Sequence, residues 1–425
     1  MSNYSFFERS LSRLLKSFPN IHSKIKKGYQ NLNYFFSRLS FSRFKNYELY
    51  SNLTLNDHIR KDKNEFHVFF GYYDHSPWSP DMNYLILNSV NKNNLTLKLY
   101  ERTNGTYSFK KDIEETSAFN FQQGVRAIWI NNNEIIFNCI RKKQLISSIY
   151  NIEEDSKSYL LYPVQEMQNN NALSINYHHL DGINKDYGYD LHNLGYFMEH
   201  IDGVVSHDIN NQDTKYILNK EKVHELSSIK DAINDCELNH ISASPFNENI
   251  IFIYRSKGKK SISEIFLFSS KKNKLRKIYS GHIVSHYCWV SSSKILVYLG
   301  KKVRDQGYYL IEISDSSTNK ITEIHNMNGN GDGHPSLCPN NKFIVYDSYP
   351  DRNRYIHLNL YDIETNNVIK IGRFFSPLKF SGYYRCDLHP RWSPDGSYIS
   401  IDSSHSCLRK HYMIDVSNIV KKDMN

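Results

Sequence analysis

The stretch RCDLHPRWSPDGSYISIDSSH, Arg385 to His405, reads as two strands on either side of a tight turn. WSPDG supplies the serine, proline, aspartate and glycine that favour a chain reversal, and YISIDS beyond it is a short apolar run. His389 stands five residues before the turn proline, Pro394. The same arrangement recurs along the chain. It appears as HSPWSPDMNYLILNS from His75, RAIWINNNEIIFNCI from Arg126 and, more weakly, VQEMQNNNALSINYH from Val164. It returns as HISASPFNENIIFIYRS from His240, HYCWVSSSKILVYLG from His286 and HPSLCPNNKFIVYDS from His334.

With the opening stretch these make seven copies. A third alternating strand follows most of them (LTLKLYE, EIFLFSS, YYLIEIS, IHLNLYD, HYMIDVS), and a poorer fourth comes next. Four strands per unit, repeating every ~40–50 residues, is the pattern of propeller blades. A β-sandwich does not repeat one turn signature seven times. The expected fold is therefore all-β: a seven-bladed β-propeller over residues 51–425, with an N-terminal basic helical arm over 1–50. The repeat spacing stretches across residues 181–235, where an insertion is expected. EFHVFFGYY (65–73) is expected to supply the outer strand that the last blade lacks, closing the ring.

Charge is uneven over the 425 residues. The formal net charge is +9, yet within residues 1–47 nine lysines and arginines face one acid, Glu8. The body is thus nearly neutral, which argues against nucleic-acid binding. The N-terminus lacks the apolar core of a secretory signal, and no run of ~18 apolar residues occurs to span a bilayer. The six cysteines show no paired spacing, so reduced, buried thiols in a cytoplasmic protein are expected. In the arm, Phe6, Leu11, Leu14, Leu15 and Phe18 lie among basic residues at roughly helical spacing. That pattern suits a helix lying on anionic lipid at the inner membrane, or equally an arm packed on the propeller's side.

The first strand of each blade lines a propeller's central channel, so a fixed offset in that strand reaches one height around the axis. That position holds His75, Arg126, Val164, His240, His286, His334 and His389. Clustered neutral imidazoles bind a divalent metal, and protonated ones attract an anion. Arg126 in the same ring favours a carboxylate or phosphate. The second strand returns to the same rim, bringing Tyr177, Arg255, Asp347, Tyr349, Asp402 and His405 towards the histidines. These groups suit sugar recognition and acid/base chemistry. FQQGVRAIW adds Gln122 and Gln123 as hydroxyl partners. GNGDGHPS is glycine-rich, but no helical pattern follows it, so it is not a phosphate loop.

HPRWSPDG and its relatives resemble the blades of TolB-like propellers and, more closely, of oligogalacturonate lyases; GYYDHSPWSPD, FQQGVRAIW, DGHPSLCPNNKFIVYDSYPD and RCDLHPRWSPDGSYISIDSSH are similar to propellers associated with bacterial surface-polysaccharide genes. The resemblance implies an acidic, uronate-containing polysaccharide as partner and a manganese-like divalent metal on the channel rim. His334 and His389 match as metal ligands, with His286 and His240 as further candidates. Where the lyases place a histidine two residues before the last ligand this chain has Asp387, and where they place a glutamine it has Tyr384. The implied chemistry is β-elimination: a metal or Arg126 neutralises the uronate carboxylate, and Arg255 or a rim histidine such as His405 takes the adjacent proton. The competing expectation is a non-catalytic propeller that binds a glycan or scaffolds capsule assembly.

Overall fold

The computed structural model describes residues 45–50, 53–56, 67–91, 94–191, 202–258, 262–314, 318–329 and 331–420, together with Ile25, Gly28 and Tyr29. Seven antiparallel sheets account for its strands. Blade 1 comprises His67–Phe69, Tyr84–Asn91, Asn94–Thr103 and Thr106–Thr116; blade 2 comprises Ile128–Trp129, Glu134–Arg141, Gln144–Asn151 and Ser156–Leu160. Blade 3 uses Glu166–Gln168, Asn171–Ile175, Gly203–Asp208 and Thr214–Asn219, and blade 4 uses Cys236–Ala243, Asn249–Ser256, Ser263–Ser269 and Lys274–Gly281. Blade 5 holds Ile283–Ser291, Lys294–Gly300, Gly307–Glu312 and Lys320–Glu323. Blade 6 runs Ser336–Leu337, Phe343–Tyr346, Tyr355–Asp362 and Asn367–Phe375, and blade 7 runs Arg391–Trp392, Tyr398–Ser403 and Lys410–Asp415.

The turns of the first and last blades share one chemistry. In blade 7 the Ser393 hydroxyl donates to Asp395 at 2.5 Å and accepts from the Tyr398 amide, while Gly396 sits at φ +69°. Blade 1 repeats it with Ser79, Asp81 and Tyr84. The second strands are continuously apolar because each blade is covered on both faces. Leu85, Ile86 and Leu87 are fully buried, as are Ile250, Ile251 and Phe252. Apolar clusters bridge neighbouring blades, for example Ile344, Tyr346 and Tyr361 of blade 6 against Leu296 and Tyr298 of blade 5.

The ring does close with an N-terminal strand, but not with residues 65–73. Leu55–Asn56 pairs with Lys410–Asp415 and completes blade 7, Leu55 lying opposite Ile414. His67–Phe69 instead pairs with Tyr84–Asn91 as the inner strand of blade 1. Tyr47–Leu49, inside the segment expected as arm, adds a fifth strand to blade 6. The rest of the helical arm lies outside the described residues, apart from Ile25, Gly28 and Tyr29, which are helical. Within the expected insertion, residues 203–219 are the outer strands of blade 3. The extra chain is a helix, Tyr177–Ile183, with the loop to residue 191, and a second helix, Lys220–Leu226, before blade 4. All six cysteines are free; Cys407 is exposed and the others are buried or half-buried.

Candidate functional site

Four of the five column histidines meet. The His240 and His286 rings are 6.4 Å apart, His286 and His334 4.1 Å, and His334 and His389 4.3 Å, forming an arc across blades 4 to 7. Backbone geometry aims two of them: His240 and His389 hold left-handed φ of +56° and +45°. Such strain in a non-glycine residue persists only where surrounding contacts enforce it. At His389 the enforcer is Asp347, fully buried. Its Oδ1 accepts from the His334 amide at 2.7 Å and from His334 Nδ1 at 2.8 Å, and its Oδ2 accepts from the His389 amide at 3.0 Å. Asp347 is thus an orienting group behind the arc rather than a substrate ligand.

His334, Asp387 and His389 offer one donor atom each, all within 4.8 Å of one another. With Nδ1 held by Asp347, His334 turns Nε2 to the site, the arrangement that orients metal-ligating imidazoles. Two of the facing atoms, Asp387 Oδ1 and His389 Nε2, are buried with no hydrogen-bond partner. Buried polar atoms are rarely left so, and two imidazoles with a carboxylate suit a first-row divalent ion. These residues therefore fit the metal that the sequence implies. Tyr384 does not join them: it is 58% exposed and packs on Phe121 and Tyr383.

Burial, then the neighbouring His334, drives the His389 imidazole well below its usual pKa, and the same two causes lower His286. His240 is driven well down by burial and then by Arg255. His334 moves the other way: burial opposes its charge, but the Asp347 carboxylate outweighs it.

Beside the arc a cavity of about 230 Å³ is lined by Tyr187, His240, Arg255, Lys257, His286 and Arg385 among others. Its electrostatics are layered. Glu237 and Asp387 are buried behind, while the cations that pair with them, Lys257 (2.6 Å) and Arg385 (2.6 Å), are 31% and 25% exposed. Arg255 hydrogen-bonds the Val284 carbonyl at 2.8 Å and stays 19% exposed. A polar ligand entering here meets positive groups first. Gln122 holds Arg385 in place, donating to its carbonyl at 2.9 Å and accepting from Nη2 at 3.2 Å. Tyr349 sits tilted against His286 and edge-on to His334, beneath the Arg385 guanidinium at 5.3 Å.

Other sequence-predicted residues lie elsewhere. Tyr72 and Tyr73, both buried, cross the axis: Tyr72 lies 5.1 Å from His389 and 5.7 Å from His240, and Tyr73 lies 5.3 Å from His334. This plug stands between the arc and the remaining column residues. His75 and Arg126 group instead with Asp74 and Glu166, and Arg126 clamps Asp74 with two bonds of 2.8 and 2.6 Å. Arg126 is thus committed to Asp74 rather than free for a substrate carboxylate. His405 packs among Tyr47, Phe374 and Tyr412, against the outer strands of blade 6, and is no rim base. Asp402 accepts from the Phe70 and Gly71 amides and from Arg391 at 2.6 Å, tying blade 7 to the plug segment rather than meeting a ligand. Tyr177 is 2% exposed, stacked on Tyr189 with its hydroxyl on the Val164 carbonyl. Gln123's side chain is buried without a partner.

Sequence reading missed Tyr72, Tyr73, Tyr187, Arg385 and Lys257. GYYD directly before His75 carried the signal for the plug, since a doubled tyrosine abutting a channel position cannot sit on an outer edge. Tyr187 comes from the extra loop, where no repeat guides the eye.

No protein-family model matches the chain, and no curated protein matches it in sequence. Its fold is shared with solved structures. An oligogalacturonate lyase from Vibrio parahaemolyticus superposes with a TM-score of 0.57 at 12% identity, covering 86% of this chain and 97% of that one. An oligogalacturonate lyase in complex with manganese gives a TM-score of 0.58 at 11% identity, covering 85% and 96%. TolB from Acinetobacter baumannii gives 0.38 at 11% identity, covering 73% and 64%. The chain is a seven-bladed β-propeller of the architecture seen in the two lyases. Among its described residues no helix is long and apolar enough to cross a membrane.

Proposed function

We propose that the chain binds and cleaves a uronate-containing acidic oligo- or polysaccharide at the arc-side mouth, by β-elimination, with a divalent metal on His334, Asp387 and His389. The observation that carries this reading is the convergence of those three donors, two of them unpartnered, beside a cavity fronted by Arg255, Lys257 and Arg385. The likeness to oligogalacturonate lyases supports it. When bound, the metal supplies Lewis acidity that withdraws charge from the uronate carboxylate and acidifies the C–H beside it. Arg255, Lys257 and Arg385 hold that carboxylate and orient the ring. His286, kept neutral by burial and with Nδ1 3.2 Å from Asp332, takes the proton on its other nitrogen. The electron pair of the C–H bond becomes the new C=C bond, and the glycosidic oxygen leaves with the neighbouring sugar. Tyr187 and Tyr349 wall the site against water.

The protein acts in the cytoplasm on capsule or O-antigen material, with its basic N-terminal segment against the inner membrane. The exposed Tyr384, standing where the lyases have a glutamine, favours a second reading in which the mouth binds an acidic glycan without cleaving it. Ultraviolet absorbance of a panel of uronate glycans, incubated with manganese-loaded protein, separates the two. A rising absorbance supports elimination. Flat absorbance with measurable glycan binding selects the binding protein, and neither signal removes both.

A further inference from the structure

Gly382–Tyr384 is a single helical turn that leads straight into Arg385 of the cavity wall. Its two tyrosines are open to solvent, Tyr383 at 40% and Tyr384 at 58%. Apolar side chains exposed singly are ordinary, but these two share one support. Phe121, buried, meets Tyr383 edge-on at 5.5 Å and Tyr384 tilted at 5.3 Å, and the two tyrosine rings lie 5.4 Å apart at 81°. The pair is thus a corner of two phenol rings at the lip of the mouth. We propose that this corner is a stacking subsite for an uncharged sugar next to the uronate held in the cavity, so that the protein takes glycans alternating acidic and neutral residues rather than runs of uronate. The inference rests on the reading that the mouth binds a uronate glycan, and it holds whether or not that glycan is cleaved.

The corner is built before any ligand arrives. Buried Arg409 donates to the Phe121 carbonyl at 2.8 Å, the Tyr384 carbonyl at 3.1 Å and the Arg385 carbonyl at 2.6 Å. One guanidinium therefore fixes the support, the corner and the cavity wall together, and a surface so preorganised loses little freedom on binding. The corner is also continuous with the cavity. Consecutive Cα atoms are about 3.8 Å apart, so a glycan whose carboxylate lies on Arg385 carries its next residue past Tyr384. A tyrosine ring joins an apolar face to a hydroxyl, which matches the C–H face and the hydroxyls of a pyranose.

Charge selects a neutral occupant. Arg385 is shared between Asp387 at 2.6 Å and Asp186 at 3.5 Å. With Asp387 spent on the metal, Asp186 and the exposed Asp190 still outnumber that one cation. Asp190 acts on the corner itself: burial, then Asp190, raises the Tyr383 hydroxyl above its usual pKa. A second uronate on the corner meets this repulsion, and a neutral sugar does not.

The test uses the manganese-loaded full chain and calorimetry with three hexasaccharides: hyaluronan and heparosan, which alternate glucuronate with N-acetylglucosamine, and hexagalacturonate. An alternating glycan is expected to bind about tenfold more tightly than hexagalacturonate. Tyr384→Ala, at an exposed position where the fold is not challenged, is expected to weaken that glycan about fivefold, to leave hexagalacturonate unchanged, and to be rescued by Tyr384→Phe. Affinity for the alternating glycans that is no greater than for hexagalacturonate, or that Tyr384→Ala leaves intact, overturns the subsite while the mouth reading stands. No binding of any of the three overturns both.

Discussion

Replacing Glu166 with glutamine should stabilise the protein at neutral pH. The carboxyl is 6% exposed, accepts from the Met167 amide at 2.8 Å and sits 3.3 Å from His75. Burial, then Asp74, raises its pKa from 4.5 to about 8. The folded state therefore keeps a proton that the unfolded chain releases above pH 4.5, and stability falls as pH rises through that window to about 8. At pH 7 the gap is about 2.5 units at 1.36 kcal/mol each, so holding the proton costs about 3 kcal/mol. Glutamine keeps the acceptor and the volume without the titration. With an unfolding entropy of ~2.1 cal/mol/K per residue, roughly 0.9 kcal/mol/K for this chain, Glu166→Gln should raise Tm by about 3 °C at pH 7. Calorimetric scans from pH 4 to 8 check this, and the two proteins should converge near pH 4.5. A variant that melts lower than wild type by the same amount at every pH would refute the reasoning.

The opposite slope is expected from His405, whose pKa burial, then Lys410, lowers from 6.5 to about 4. The unfolded chain binds a proton there first, so stability is lost as pH falls from 6.5 towards 4. His405→Phe should remove up to about 3 kcal/mol of that loss, measured by urea unfolding at pH 4.5 and 7. Asp402→Ala should cost about 3–5 kcal/mol by stranding the buried Arg391 guanidinium and two backbone amides; a loss under ~1 kcal/mol contradicts the clamp. Asp387→Asn should weaken manganese binding about 10–100-fold by calorimetry, and should also lower Tm in chelator, because the buried carboxylate pairs with Arg385. Deleting residues 1–44, which spares Tyr47–Leu49, should lower the membrane-bound fraction in cells; an unchanged fraction leaves the arm without a lipid role.

The fold was legible because each blade repeats the same local physics. A polar turn and an apolar strand need no long-range information, and the seven copies supplied the count. The arc of His240, His286, His334 and His389 was legible for the same reason, as a fixed offset in a repeated strand. What escaped were features made by chain that does not repeat. The plug of Tyr72 and Tyr73 comes from the break between His67–Phe69 and the first turn, and it removed His75 and Arg126 from the ring of equals that the offset implied. Asp402 and Asp347 looked like rim ligands because their polarity showed in sequence, but Asp402 is spent on the Phe70 and Gly71 amides and Arg391, and Asp347 on His334 and the His389 amide, pairings that no spacing reveals. Residues 55–56 closed the ring where 65–73 was expected, because a two-residue strand carries almost no alternation to detect.

That seam governs how the protein can be made. Leu55 must find Ile414, so the final blade cannot be completed until the Lys410–Asp415 strand has left the ribosome. Once made, and until Leu55–Asn56 pairs with it, the Lys410–Asp415 edge is an open template for any passing strand, and neighbouring copies at high expression are the nearest candidates. Slow synthesis gives no protection against such swapping; dilution and chaperones do.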